Sequence, residues 1–179
     1  MKKIYFLVSN DLNTDQRMIR ICTSLQSRGY NCELVGRQLP QSQPLHQQPF
    51  AQYRFKCFFN KGKFFYLELN LRLFFFLLFR KYDAVCAIDL DTILPAYYVA
   101  KWRGKKLIYD AHEYFTEVPE VINRPFTKKI WEWVAARTIP NTKYAYTVCQ
   151  SLADIFLARY KTVFEVVRNV PFANNSPTV

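Results

Sequence analysis

The sequence predicts an α/β domain, a Rossmann-like three-layer sandwich built on a mainly parallel, doubly wound sheet. Two observations carry that prediction. Short apolar runs alternate with stretches of helical period along most of the chain. Three of these runs also stop abruptly at polar residues: residues 4–8 meet Ser9-Asn10-Asp11-Leu12-Asn13-Thr14-Asp15, residues 84–88 meet Asp89-Leu90-Asp91-Thr92, and residues 106–109 meet Asp110-Ala111-His112-Glu113. Open α/β sheets place ligands at the carboxyl ends of their strands, so three such loops on one sheet edge mark the candidate site.

Residues 4–8 read as the first strand. Residues 17–28 carry Met18, Ile21, Cys22 and Leu25 at helical spacing, and Gly29 is a natural stop. Residues 31–35 are the second strand; residues 36–52, rich in Gln and Pro and without a period, read as a long loop. Residues 53–57 alternate, as an edge strand with one wet face does. Residues 63–80 form a helix apolar almost all round, which predicts an interior position against the sheet. The alternative is a face that docks on lipid with help from Lys61, Lys63, Arg80 and Lys81. Its uncharged stretch at residues 73–79 is far short of the roughly 20 residues a membrane helix needs.

The alternation continues with a strand at 84–88, a helix at 92–102 stopped by Gly104, and a strand at 106–109. Pro125 opens a helix through Arg137 with Phe126, Ile130, Trp133, Val134 and Arg137 along one stripe. A strand at 144–148, a helix capped by Ser151 and reaching Tyr160, and a strand at 163–167 complete the order. The loop at 114–124, bounded by Pro119 and Pro125, reads as a rigid connection, with a lid over the site as the alternative.

A chain of 179 residues fits one domain. Residues 1–171 are assigned to it, and residues 172–179 read as a linker or the truncated start of a second domain. The net charge of +11 fits nucleic acid, anionic lipid or a phosphorylated small molecule. The basic residues are scattered or in pairs, without a nucleic-acid-binding signature, so nucleic acid is not an expected partner. Cys22, Cys32, Cys57, Cys86 and Cys149 are odd in number and widely spaced, as reduced core residues are, and no metal-ligand spacing occurs. The apolar run at the amino terminus is too short for a signal peptide, so a cytoplasmic protein is expected, with a peripheral position at the inner face of the membrane if the lipid-docking alternative holds.

The four glycines are isolated, which excludes GxGxxG dinucleotide sites and P-loops, and GxSxG is absent. Asp11, Asp15, Asp89 and Asp91 read first as helix caps. The two strings Asn10-Asp11-Leu12-Asn13-Thr14 and Ile88-Asp89-Leu90-Asp91-Thr92 carry more hydrogen-bonding groups than capping needs, and a polyhydroxyl ligand would use the excess. His112, at a strand end between Asp110 and Glu113, is the candidate catalytic group. His46, inside the Gln/Pro loop, has no assigned role.

Four strings, residues 8–17, 89–95, 109–120 and 168–171, resemble the bacterial branch of the family 4 glycosyltransferases, which have two Rossmann-like domains facing each other in the GT-B architecture. The resemblance covers about residues 3–171. It implies retaining transfer of a sugar from a nucleotide-sugar donor, a substrate rather than a cofactor, to a sugar or lipid-linked acceptor held mainly by the amino-terminal domain. It implies that His112 reaches the transferred sugar, that Asn10, Asp11, Asn13 and Thr14 border donor phosphates and acceptor, and that Asp89, Asp91 and Glu113 line the acceptor side. The adjacent glycines that many relatives carry in the first loop are not present here. The resemblance further implies that the donor-binding carboxyl-terminal domain is a missing partner and that this chain alone is inactive. A stand-alone glycan- or membrane-binding module without catalysis is the alternative.

Overall fold

The computed structural model describes residues 1–170, so the expected linker at 172–179 lies outside the described residues. Seven strands form one sheet in the order β3-β2-β1-β4-β5-β6-β7, and every neighbouring pair is parallel. The strands are β1 (Lys3–Leu7), β2 (Asn31–Gln38), β3 (Ala51–Lys56), β4 (Ala84–Ile88), β5 (Lys106–Ala111), β6 (Tyr144–Thr147) and β7 (Glu165–Val166). The helices are α1 (Gln16–Ser27), α2 (Gly62–Phe79), α3 (Leu90–Trp102), α4 (Pro119–Ile122), α5 (Pro125–Thr138) and α6 (Gln150–Tyr160). The α/β Rossmann-like class expected from the sequence is the observed one, and β3 occupies a sheet edge as its alternation implied.

The chain moves from β1 outward to β2 and β3, then returns past β1 to add β4 to β7 on the other side. Right-handed crossovers therefore place α1 on one face of the sheet and the later helices on the other. Period-two alternation divides each central strand between the faces. Tyr5, Leu7, Val85, Ala87, Tyr109 and Ala111 join the core beneath α2, α3, α5 and α6. Ile4, Phe6, Ala84, Cys86 and Ile88 join a second core with Met18 and Cys22 of α1. Over β4, β5 and β6 the α1 side stays open as a groove of about 960 Å³, floored by Cys86, Ile108 and Tyr146.

Several elements depart from the sequence reading for local physical reasons. β2 continues through Gly36 to Gln38, because Gly36 pairs with Arg54 of β3 and the loop after β1 lies directly on it. A Cβ at Gly36 would sit 2.5 Å from Leu12 Cδ2 and 2.7 Å from the Asn10 carbonyl oxygen. β5 extends to Ala111, α3 begins at Leu90, and β7 keeps only two residues. Cys149, not Ser151, holds the position before α6; Ser151 lies in the first turn.

The buried side of α5 is Trp131, Val134, Ala135 and Thr138, whereas Phe126, Ile130 and Trp133 face outward. Apolar residues lie on two faces of this helix, and the rings of Tyr66 and Phe115, packed edge-on against Trp131 at 5.4 and 5.1 Å, select one. α2 is not interior all round either: it buries Phe65, Leu69, Leu73, Phe76 and Leu77 and exposes an opposite apolar stripe. The segment at 114–124 is a 3₁₀ turn followed by α4, with Thr116 and Val121 buried and Glu117 paired to Lys128 at 2.7 Å. These contacts agree with the rigid connection.

Replacing Gly36 by Ala is expected to destabilise the domain by about 1–3 kcal/mol, the usual cost of overpacking. Denaturant unfolding would check it, and a loss below about 0.5 kcal/mol would mean that the loop moves aside freely.

Candidate functional site

The strand order reverses between β1 and β4, so the loops that follow them leave in opposite directions at the carboxyl edge, the topological switch point where open α/β sheets bind ligands. Ile88 is in register with Asp110, which sets the start of the β4 loop beside the end of β5. Asp110 shares its strand face with Ile108, so it points to the α1 side, where it is fully buried. Arg17, in the first turn of α1, meets it there. Arg17 Nη2 donates to Asp110 Oδ1 at 2.9 Å, Nε donates to His112 Nε2 at 2.8 Å, and Nη1 donates to the Val167 carbonyl at 3.3 Å.

His112 is held from a second direction by Asp89. The backbone N–H of His112 donates to Asp89 Oδ1 at 2.9 Å, and its Nδ1 lies 3.5 Å from Asp89 Oδ2. Asp89 occupies φ 56°, ψ 177°, a region nearly reserved for glycine that costs about 1–3 kcal/mol for other residues. Two bonds fix this backbone: the N–H of Asp89 donates to the Asp110 carbonyl at 2.9 Å, and its carboxylate receives the His112 amide.

The donors decide the state of the imidazole. Arg17 Nε can only donate, so Nε2 facing it carries a lone pair and Nδ1 carries the proton toward Asp89. When the ring is protonated, Nε2–H turns to Asp110 Oδ2, 3.1 Å away. Burial works to lower the His112 pKa, but the bond to Asp110 and the charges of Asp89 and Asp110 outweigh it and raise it. Burial pushes Asp89 up to about 7 against the opposing charge of His112, and pushes Asp91 up to about 6 against a hydrogen bond from Ser9.

The remaining expected residues lie on the same edge. Asp91 is buried in the first turn of α3, and the charge of exposed Glu113 reaches it. The first loop is braced within the chain. Asp11 accepts the N–H of Asn13 at 3.0 Å, the hydroxyl of Ser42, and Arg54 Nη1 at 3.3 Å. Burial would raise the Asp11 pKa, yet these partners lower it. Asn13 Nδ2 donates to the Pro44 carbonyl at 2.9 Å and its Oδ1 accepts the His46 N–H at 3.1 Å, so His46 has a backbone role. The Thr14 hydroxyl donates to the Asp11 carbonyl, and Asn10 Nδ2 donates to Asp15, which caps α1 by accepting the N–H of Met18.

The structure thus brings His112, Asp89 and Asp91 together at the switch point, with Asn10, Asp11, Asn13 and Thr14 on the loop beside them. Sequence reasoning missed Arg17, Asp110 as its partner, and the brace formed by Ser42 and Arg54. Among the described residues no cluster fit to hold a metal ion occurs, and all five cysteines are free.

The strand order defines a Rossmann-like domain with the candidate site at its topological switch point. No known family profile matches the sequence, and no curated protein is significantly similar to it. Solved structures match the fold. Sucrose-phosphate synthase from Thermosynechococcus elongatus superposes with a TM-score of 0.67 at 10% identity, covering 94% of this chain and 47% of that chain. A UGT transferase from Siraitia grosvenorii, in complex with UDP, gives 0.60 at 11% identity, covering 99% and 53%. UDP-GlcNAc 2-epimerase from Methanocaldococcus jannaschii gives 0.54 at 14% identity, covering 93% and 45%. At these identities the likeness shows the fold, that of one Rossmann-like half of the GT-B architecture, and this chain spans about half the length of each of these chains.

Removing Arg17 takes the guanidinium away from a fully buried Asp110 and leaves it with His112 and Tyr146 as polar partners. Arg17→Met is expected to cost about 3–5 kcal/mol in denaturant unfolding, and adding Asp110→Asn to recover part of the loss. No recovery in the double variant would show that packing, not charge, is what Arg17 supplies.

The pH dependence has a definite sign. The folded pKa of Asp89 lies above its ordinary 3.8, so its favourable contribution is full below that value and is lost as pH rises through about 7. The raised His112 pKa acts the same way, with its contribution lost as pH rises above 6.5 through the folded value. Tm is therefore expected to fall as pH rises from about 4 through neutrality, and Asp89→Asn to flatten the part of that slope below about 7. In the same variant the His112 ring, followed by NMR, is expected to titrate lower than in the parent. A slope unchanged by Asp89→Asn would place the titrating group elsewhere.

Proposed function

We propose that this chain forms the acceptor side of the cleft in a retaining, nucleotide-sugar-dependent glycosyltransferase, and that a second domain grips the donor nucleotide. The observation that carries the reading is the chain of contacts Asp110–Arg17–His112–Asp89 at the switch-point edge. A buried ion pair and a strained carboxylate together fix one partly exposed imidazole, which is more constraint than the fold requires.

His112 is the proposed catalytic group. Its Nδ1–H has only a 3.5 Å contact to Asp89 Oδ2, longer than a good hydrogen bond, so a sugar hydroxyl can share that proton. Arg17 and Asp110 hold the ring from the other nitrogen and set its proton position. Asp89, Asp91 and Glu113 offer acceptors to sugar hydroxyls, while Asn10, Asp11, Asn13 and Thr14 form the opposite border. Parallel sheets are ordinarily covered on both faces, so the open groove over β4 to β6 supports a further body packing on this domain. The five free cysteines fit a reducing compartment, consistent with action in the cytoplasm.

The fold by itself does not choose between sugar transfer and epimerisation, since a 2-epimerase shares it. The four strings that resemble family 4 glycosyltransferases favour transfer. With a panel of nucleotide sugars, the longer, two-domain product is expected to transfer sugar with the anomeric configuration retained, and the 179-residue chain alone to be inactive. His112→Ala is expected to lower kcat by about 10²–10⁴-fold. Inverted product, epimerised donor without transfer, or transfer by the 179-residue chain at an ordinary rate would each defeat the reading.

A further inference from the structure

α2 carries on its outward side the stripe Phe64, Leu67, Leu71, Phe75 and Phe79, each at least half exposed. The spacing of three and four residues keeps them on one face, opposite the buried Phe65, Leu69, Leu73 and Leu77. Phe58, 85% exposed, lies beside the middle of the helix, its ring 5.4 Å from the Arg72 guanidinium. From Phe64 to Phe79 at 1.5 Å per residue the stripe is about 22 Å long, more than ordinary scattered exposure.

The charges around the stripe identify what docks. Exposed Lys61 and Lys63 stand at one end and exposed Arg80 and Lys81 at the other. Glu68 is the only acid between residues 57 and 82. Its carboxylate is occupied, accepting the N–H groups of Phe58 and Phe59, both at 2.9 Å, and Arg72 Nε at 2.8 Å. A second copy of the chain laid on this face in either direction sets cation against cation. An anionic bilayer instead receives the apolar stripe and matches both cationic ends.

We propose that α2 is a docking helix that lies in the plane of an anionic membrane, with its Phe and Leu stripe at the upper acyl chains and Lys61, Lys63, Arg80 and Lys81 against the headgroup phosphates. The proposal stands independently of the sugar-transfer reading. It also has a geometric consequence. α2 begins at the sheet edge that carries the site, and Asn70 Nδ2 donates to the Asp91 carbonyl at 2.8 Å, so docking holds that edge beside the lipid surface.

Flotation of the 179-residue chain with vesicles tests this, comparing phosphatidylglycerol mixed into phosphatidylcholine with phosphatidylcholine alone. The expected result is binding to the anionic vesicles only, weakening as salt is raised. Lys61→Glu with Lys63→Glu is expected to reduce affinity at least about 25-fold, roughly fivefold for each cation lost. Leu71→Glu with Phe75→Glu is expected to abolish binding while leaving the thermal melt unchanged, because both positions are exposed. The proposal is overturned by no vesicle binding, by equal binding to neutral vesicles, or by binding that survives Leu71→Glu with Phe75→Glu. A dimer dispersed by that pair of substitutions would also overturn it, assigning the face to a second copy.

Discussion

The buried pair of Arg17 and Asp110 is the constraint on which the site depends. A carboxylate with no exposure, set among Ile108, Cys86 and Tyr146, is tolerable only with a cation held against it. Asp15 caps α1 and so starts the helix where Arg17 can reach across the sheet face to β5. The guanidinium then donates from Nε to His112 and from Nη1 to the Val167 carbonyl. The helix after β1 and the loop after β5, distant in sequence, are thereby locked to one another at the switch point. The site's imidazole inherits its orientation from a bond that also holds the fold together.

The second constraint is steric. The loop after β1 crosses the end of β2 closely enough that only glycine fits at position 36. The Arg37 N–H then bonds the Asn10 carbonyl at 3.1 Å, and the bonds of Asp11 to Ser42 and Arg54 tie the loop to β3 and the segment before it. A rigid first loop and a rigid imidazole are both consequences of close packing at the place where the two halves of the sheet diverge. Pre-organisation of this kind is what a site needs when its ligand offers many weak hydroxyl contacts.

The sequence made the β-α rhythm legible because the central strands are short, apolar and bounded by polar turns. The convergence of the loops at 9–15, 89–92 and 110–113 on one edge followed from parallel topology alone. Faces were less legible. α2 is so uniformly apolar that no period marks its buried side, and α5 has two plausible stripes, between which only the rings around Trp131 decide. Arg17 was hidden because an arginine in the first turn of an amphipathic helix reads as solvated. Asp110 carried a usable signal: it has the same strand parity as inward Ile108. Ending β5 at the first charged residue concealed it.

The charge distribution then bears on which ligand this edge suits. The chain is strongly cationic, yet Asp11, Asp15, Asp89, Asp91, Asp110 and Glu113 gather at one sheet edge. Arg17 and Arg54 are there, each engaged with a carboxylate, and Arg37 lies beside them, donating from Nη1 to the Asn60 carbonyl at 3.1 Å. Carboxylates outnumber guanidinium groups on this edge, which weighs against it as a cradle for phosphates. It is a good acceptor surface for hydroxyls, and with Asp89 and Asp91 titrating at about 7 and 6 it can hold neutral or ionised carboxyl groups near physiological pH. On the proposed transferase reading, that polarity suits an acceptor at this edge and assigns the donor's phosphates to the second domain. The remaining exposed cations include those around α2, so one chain separates its charges into an acidic sheet edge and a basic helix surround, the separation on which both proposals rest.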